Sequence, residues 1–201
     1  MMSKARRKSG ARRGHRTAHA RAPLGVRHRE TIYQGKVIRL IREQLELRGQ
    51  RLYRETILHP GAVVILPVLA DERIVFIRQY RRAIRRYLLE LPAGTLDHGE
   101  SKATCAKREL LEETGYRARR VTRLAQFYAA PGFLSEQLTL FIAEDLSQGQ
   151  AAPEPDELVE PIILTLNQAL AKIRSGKLCD AKSMIGVLFL RDRLNSATDA
   201  R

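Results

Sequence analysis

From residue 30 onward the apolar positions fall into short runs separated by turn residues. Val37, Ile38, Leu40, Ile41, Leu45 and Leu47, then Leu52, Tyr53, Ile57 and Leu58, mix apolar with charged residues, and Arg48-Gly49-Gln50 between them is a natural turn. The pattern predicts two strands joined as a hairpin, with a short helix over 38–45 as the other reading. After Pro60-Gly61, residues 62–69 form a nearly continuous apolar run, as expected of a strand covered on both faces. Ala70-Asp71-Glu72 then turns the chain into a second strand over 73–80. Residues 100–114 read as a helix: Ala103, Ala106 and Leu110 recur at i, i+3 and i+7, and Gly115 stands where a C-terminal cap belongs. Strands are expected around 121–128 and 138–143, then a polar loop over 147–157 and a strand over 159–164. A helix over 167–174 should end at Ser175-Gly176, and Asp180 can cap a last helix through about residue 194. Strands interspersed with two or three helices make a mixed α/β domain.

Residues 1–29 differ in kind. They hold ten Lys/Arg, no acid and scarcely a large apolar residue, so they are expected to form a disordered basic tail. A transit peptide is also Arg-rich and acid-poor, so that reading stays open. The whole chain of 201 residues carries 36 Lys+Arg against 22 Asp+Glu, a formal net charge of +14. Without the tail, the other 172 residues hold 26 and 22, a net of only +4, so the excess does not describe a domain-wide nucleic-acid surface. The tail is expected to bind polyanions weakly and in a salt-dependent way. Cys105 and Cys179 are too few for a disulfide framework and suit a reducing compartment. No apolar run approaches the ~18 residues of a membrane span, and the first 29 residues lack a secretory apolar stretch. A cytoplasmic protein without membrane contact is the expectation.

The chemistry concentrates between Gly94 and Tyr116. At about 100° per residue, Glu109 and Glu113 lie about 40° apart, with Glu112 about 60° on the other side of Glu109. Three carboxylates thus share one arc beside the apolar stripe. Such crowding is unfavourable unless cations neutralise it or protons bind. The donors are all hard oxygens, which favours Mg²⁺, with Mn²⁺ as the alternative. Arg108 stands four residues before Glu112 and can brace it by a charge-assisted bond. Taken alone, three clustered glutamates are as well explained by a solvated acidic face.

The complete spacing separates these readings. Gly94, Glu100, Arg108, Glu109, Leu110, Glu112, Glu113 and Gly115 follow G-x5-E-x7-R-E-U-x-E-E-x-G without insertion, U being an aliphatic residue. The segment resembles the Nudix box, departing from it only at Tyr116, where an aliphatic residue is usual. Arg78-Gln79-Tyr80-Arg81 and Glu90-Leu91-Pro92-Ala93-Gly94 before it, and Pro131 sixteen residues past Gly115, resemble the ADP-ribose pyrophosphatase branch of that superfamily. The run 177–186 resembles the same branch's C-terminal helix. The resemblance spans residues 30–195 and implies a Nudix-type α/β/α sandwich with a mixed sheet, preceded by an N-terminal β-hairpin and the basic tail. It also implies a homodimer joined through strands in 30–60, and leaves 196–201 as a C-terminal tail.

By the same resemblance, the metal would be held by Glu109, Glu112, Glu113, the Ala93 carbonyl and, in addition or at one remove, Glu100. Arg81 would meet a substrate phosphate, with Arg78 beside it, and Glu90, Pro131 and Ser135 complete the substrate-binding set. Arg108 would support the catalytic glutamates. The general base is expected on the loop before a late strand, at Glu157, with Glu154 and Glu160 as alternatives. The implied reaction is Mg²⁺-dependent hydrolysis of a nucleoside diphosphate sugar, ADP-ribose to AMP and ribose 5-phosphate. Another nucleotide sugar, a nucleoside triphosphate or a capped RNA is the second reading. A non-catalytic nucleotide-sensing or nucleic-acid-binding module is the third; an intact box and the lack of a helix-turn-helix or zinc module oppose it.

Overall fold

A computed structural model describes residues 25–151 and 159–199, with side chains described through residue 196. Its centre is β4 (Ala62–Pro67), in which all six residues are buried. Alternation along this strand sends neighbouring side chains to opposite layers. Val63 and Ile65 pack with Cys105, Ala106 and Leu110 of α1 (Lys102–Thr114), while Val64 and Leu66 pack into the larger core shared with α2 (Leu166–Arg174) and α3 (Ala181–Asp199). This is the α/β/α arrangement.

β4 sits inside a four-stranded mixed sheet of order β7-β4-β9-β8, where β7 is Ala93–Thr95, β8 Tyr116–Tyr128 and β9 Gln137–Gln148. Only the β4–β9 pairing is parallel in this sheet. A second sheet, β10-β5-β6, joins Val159–Leu164, Ile74–Arg81 and Arg86–Glu90. The third, β1-β2-β3, is antiparallel throughout and comprises Gly25–Gln34, Arg39–Leu47 and Gln50–Leu58. It is held to the rest where the Ile57 N–H donates to the Phe133 carbonyl at 2.7 Å and the Ser135 N–H donates to the Ile57 carbonyl at 2.9 Å.

Several expectations change. The expected hairpin stands, as β2 and β3, and the change there is a third member, β1. All ten β1 residues are exposed, so it has no buried alternation to betray it. β1 also takes residues 25–29 out of the expected tail; residues 1–24 lie outside the described residues. β9 runs on to Gln148, inside the expected loop, and α3 continues to Asp199, past the expected end near residue 194. In α1 the buried stripe is Cys105, Ala106, Glu109, Leu110 and Glu113, and Ala103 is exposed. Two glutamates therefore lie on the packed face rather than beside it. Among the described residues no helix is long and apolar enough to cross a membrane.

Candidate active site

α1 starts where Ser101 caps it, its hydroxyl accepting from the Thr104 N–H at 3.1 Å, and ends at Gly115 with φ 74°. Between these caps the helix presses its acidic face onto β7. The Glu113 carboxylate accepts the Ala93 N–H at 2.9 Å. Glu109 lies on the backbone of Gly94, where a Cβ would come within 1.8 Å of its carboxyl carbon. Only glycine leaves that space open, which explains the first position of the box in physical terms. Both side chains are nearly buried, Glu109 at 9% and Glu113 at 2% exposure.

Arg108 ties the remaining acids together. Its guanidinium donates to Glu109 at 2.7 Å, to Glu112 at 2.9 Å and to Glu100 at 3.0 Å. These hydrogen bonds raise the arginine's own pKa and hold the Glu100 carboxyl below its ordinary range. Beneath it, burial pushes the Cys105 thiol up to about 12, which removes it from nucleophilic chemistry.

A cleft of about 430 Å³ opens on β7, with Arg81, Tyr128, Glu136 and Lys182 among its lining residues. The acids adjoin it through Ala93 and Gly94. Its cationic wall depends on Glu90, which is 1% exposed. Arg81 meets both Glu90 oxygens in a fork, Nε at 2.8 Å and Nη2 at 2.6 Å, and the Lys182 ammonium pairs with the same carboxylate. Burial alone would raise the Glu90 carboxyl, but the two cations together hold it below its ordinary range. The Arg81 pKa is raised in turn by its hydrogen bond to Glu90.

The other candidates stand elsewhere. Arg78, three residues before Arg81 and so on the opposite face of β5, lies 4.3 Å above the Tyr87 ring and 3.5 Å from Glu160. That pairing directs Glu160 away from the cleft. Pro131 is exposed in the turn that precedes Phe133, and the Ser135 hydroxyl accepts the His59 N–H at 3.0 Å at the seam with β3. Glu157 and Glu154 lie outside the described residues. The sequence pattern gives Lys182 no role beyond its place in the 177–186 run, because it meets Glu90 across 92 residues of chain. A further signal is the need of a buried Glu90 for counter-charge.

Among the described residues no three His, Cys, Asp or Glu side chains gather closely enough to hold a metal ion as they stand. Arg108 occupies oxygens of Glu100, Glu109 and Glu112, and Glu113 accepts the Ala93 N–H. The donor set nevertheless fits a hard divalent cation. It consists of carboxylate oxygens on one helix face, held over a glycine cradle that any Cβ would fill.

An acidic helix seated by glycine on a short strand, beside a cleft lined by Arg81 and Lys182 in an α/β/α sandwich, is the architecture of a Nudix domain, and a NUDIX domain model matches residues 58–182. The chain belongs to the Nudix family and is a hydrolase of pyrophosphate bonds, a chemistry that in this family uses a divalent metal. It is 40% identical over 166 residues to an ADP-ribose pyrophosphatase of Bacillus subtilis (strain 168), an alignment covering 81% of this chain and 90% of that one. It is 38% identical to the methanol dehydrogenase activator of Bacillus methanolicus, covering 81% and 89%. A GDP-mannose pyrophosphatase of Citrobacter koseri is 36% identical over 65% of this chain and 72% of its own. A crystal structure described as an ADP compounds hydrolase superposes with a TM-score of 0.79 over 90% of this chain and 98% of that one; at 24% identity it supports the fold alone.

Proposed function

We propose that this protein hydrolyses ADP-ribose to AMP and ribose 5-phosphate with Mg²⁺. The observation that carries the reading is the cleft on β7, with nearly buried glutamates seated against one side and Arg81 and Lys182 on its wall. A diphosphate bridge needs both: oxygen ligands for a metal, and fixed positive charge for its own oxygens. The similarity to the Bacillus subtilis enzyme supports ADP-ribose as the substrate.

Glu109, Glu112 and Glu113, with the Ala93 carbonyl, would hold the metal, and Glu100 would stand behind them. When bound, Mg²⁺ supplies Lewis acidity that lowers the pKa of the attacking water and stabilises the leaving oxygen. Arg81 commits two N–H groups to Glu90, which leaves three of its five for phosphate oxygens. Glu90 fixes the plane of that guanidinium before substrate arrives, so little ordering is left to do on binding. Arg108 offsets the mutual repulsion of Glu100, Glu109 and Glu112. A glutamate of the 154–160 stretch, Glu157 first, would accept the water's proton.

The similarity to GDP-mannose pyrophosphatases favours a second reading, a different nucleotide sugar in the same cleft. Purified protein is to be assayed with ADP-ribose, GDP-mannose and a nucleoside triphosphate set, with Mg²⁺, with Mn²⁺ and with chelator. AMP release from ADP-ribose in Mg²⁺, exceeding product from the other substrates and abolished by chelator, is the expected result. Faster turnover of GDP-mannose would transfer the assignment to the second reading.

A homodimer through residues 30–60 belongs to the same proposal. It is supported by Ile32, Tyr33, Val37 and Tyr53, all exposed on or beside the first sheet. Light scattering should give twice the 22.8 kDa chain mass. Weak polyanion binding by the basic tail is checked by deleting residues 1–24, which should remove it and spare hydrolysis.

A further inference from the structure

Lys182 opens α3 on the wall of the cleft, at 12% side-chain exposure. Its ammonium has three donors. It donates to Glu90 and pairs with Asp180 at 3.0 Å, which leaves at least one N–H. Arg81 and Lys182 together match the two negative charges of Glu90 and Asp180. Arg81 already reaches both oxygens of Glu90 and matches its charge. Asp180 caps α3 by accepting the Ser183 N–H at 3.0 Å and the Ser183 hydroxyl at 2.5 Å. The pair of carboxylates thus holds the ammonium in one place, largely out of water, on the cleft wall that Arg81 also lines. An ammonium in that position retains a hydrogen-bond donor and a charge for an anion.

We propose that Lys182 is a second phosphate ligand of the cleft: its remaining N–H donates to an oxygen of the substrate diphosphate, while Arg81 holds the diphosphate from the β5 side. The proposal rests on the diphosphate-hydrolase reading above. It adds a substrate-contacting residue that the box spacing does not contain. Glu90 and Asp180 act here as positioning residues, fixing the ammonium as Glu90 fixes the guanidinium.

The test uses the full chain with Lys182→Met and Lys182→Gln. The second variant keeps hydrogen bonding to Glu90 and Asp180 while losing the charge, so it is informative even if the first fails to fold. Two readouts are taken in Mg²⁺ buffer: calorimetric binding of inorganic pyrophosphate, and KM and kcat for ADP-ribose. Loss of one charge-assisted bond should weaken pyrophosphate binding and raise KM by about tenfold or more. Lys182→Arg should restore most of both. Pyrophosphate affinity and KM unchanged in Lys182→Gln, or no pyrophosphate binding by the wild type, would overturn the proposal. The two readings separate cleanly. Lys182-dependent pyrophosphate binding without ADP-ribose hydrolysis keeps the ligand and removes the substrate, whereas hydrolysis indifferent to Lys182 does the reverse.

Discussion

The Glu109 carboxylate rests on the bare α-carbon of Gly94, where an added methyl group would come within 1.8 Å of it. The two residues are 15 apart in sequence, and this contact sets where the helix presents its acids. Gly94→Ala forces the glutamate aside without touching the hydrophobic seat of α1, so the protein should fold. A displacement of about an ångström should cost on the order of 10²-fold in turnover. Steady-state hydrolysis beside a thermal melt checks this; full activity in Gly94→Ala would show that Glu109 need not sit there.

Glu109→Gln and Glu113→Gln test the acids themselves. Each preserves shape and removes one charge from a crowded arc, so stability should hold or rise slightly. Turnover should fall by at least roughly a hundredfold, about 2.7 kcal/mol of barrier. Isothermal titration with Mg²⁺ should show weakened binding in both variants, and unchanged binding and turnover in both would remove the site.

Glu90 predicts an acid limb in the stability profile. Its pKa is depressed in the folded state, so its contribution is complete above the unfolded value, about 4.3, and is lost as pH falls below that toward the folded value. Urea midpoints of wild type should therefore drop more steeply than those of Glu90→Gln in that acidic window. At pH 7 the variant should be the less stable, because Arg81 and Lys182 lose their shared counter-charge. Parallel curves for the two proteins would contradict the ion-pair account.

The two thiols should separate kinetically. Cys105 is buried with its pKa pushed up to about 12, while Cys179 is exposed. At pH 8 a chromogenic disulfide reagent should titrate one thiol in the native protein and two after unfolding. Blocking the exposed thiol should leave hydrolysis intact.

How much of this was legible in the chain depended on how local each cause is. The acidic helix and its C-terminal cap were readable because Gly115 and the box spacing act within two dozen residues, whereas the Ser101 cap one residue inside the expected start was not singled out. β4 announced itself by an unbroken apolar run. β6 and β7 did not: an arginine-rich hairpin and a three-residue strand have no period to detect. The stripe of α1 was misjudged at Ala103 because small apolar residues mark a packed face weakly, and here nearly buried glutamates take that place. Arg78 and Arg81 look equivalent in sequence, yet strand alternation sends them to opposite faces. Lys182 and Glu90 are partners only in three dimensions.

Both halves of the proposed site hang from a single partition. Val63 and Ile65 brace the acid-bearing helix, while the adjacent Val64 and Leu66 brace the layer that carries Lys182. Melting that strand removes anion-gripping and cation-gripping groups in one stroke. Heat inactivation should therefore track the unfolded fraction directly, with no half-competent form that binds a nucleotide but cannot cut it.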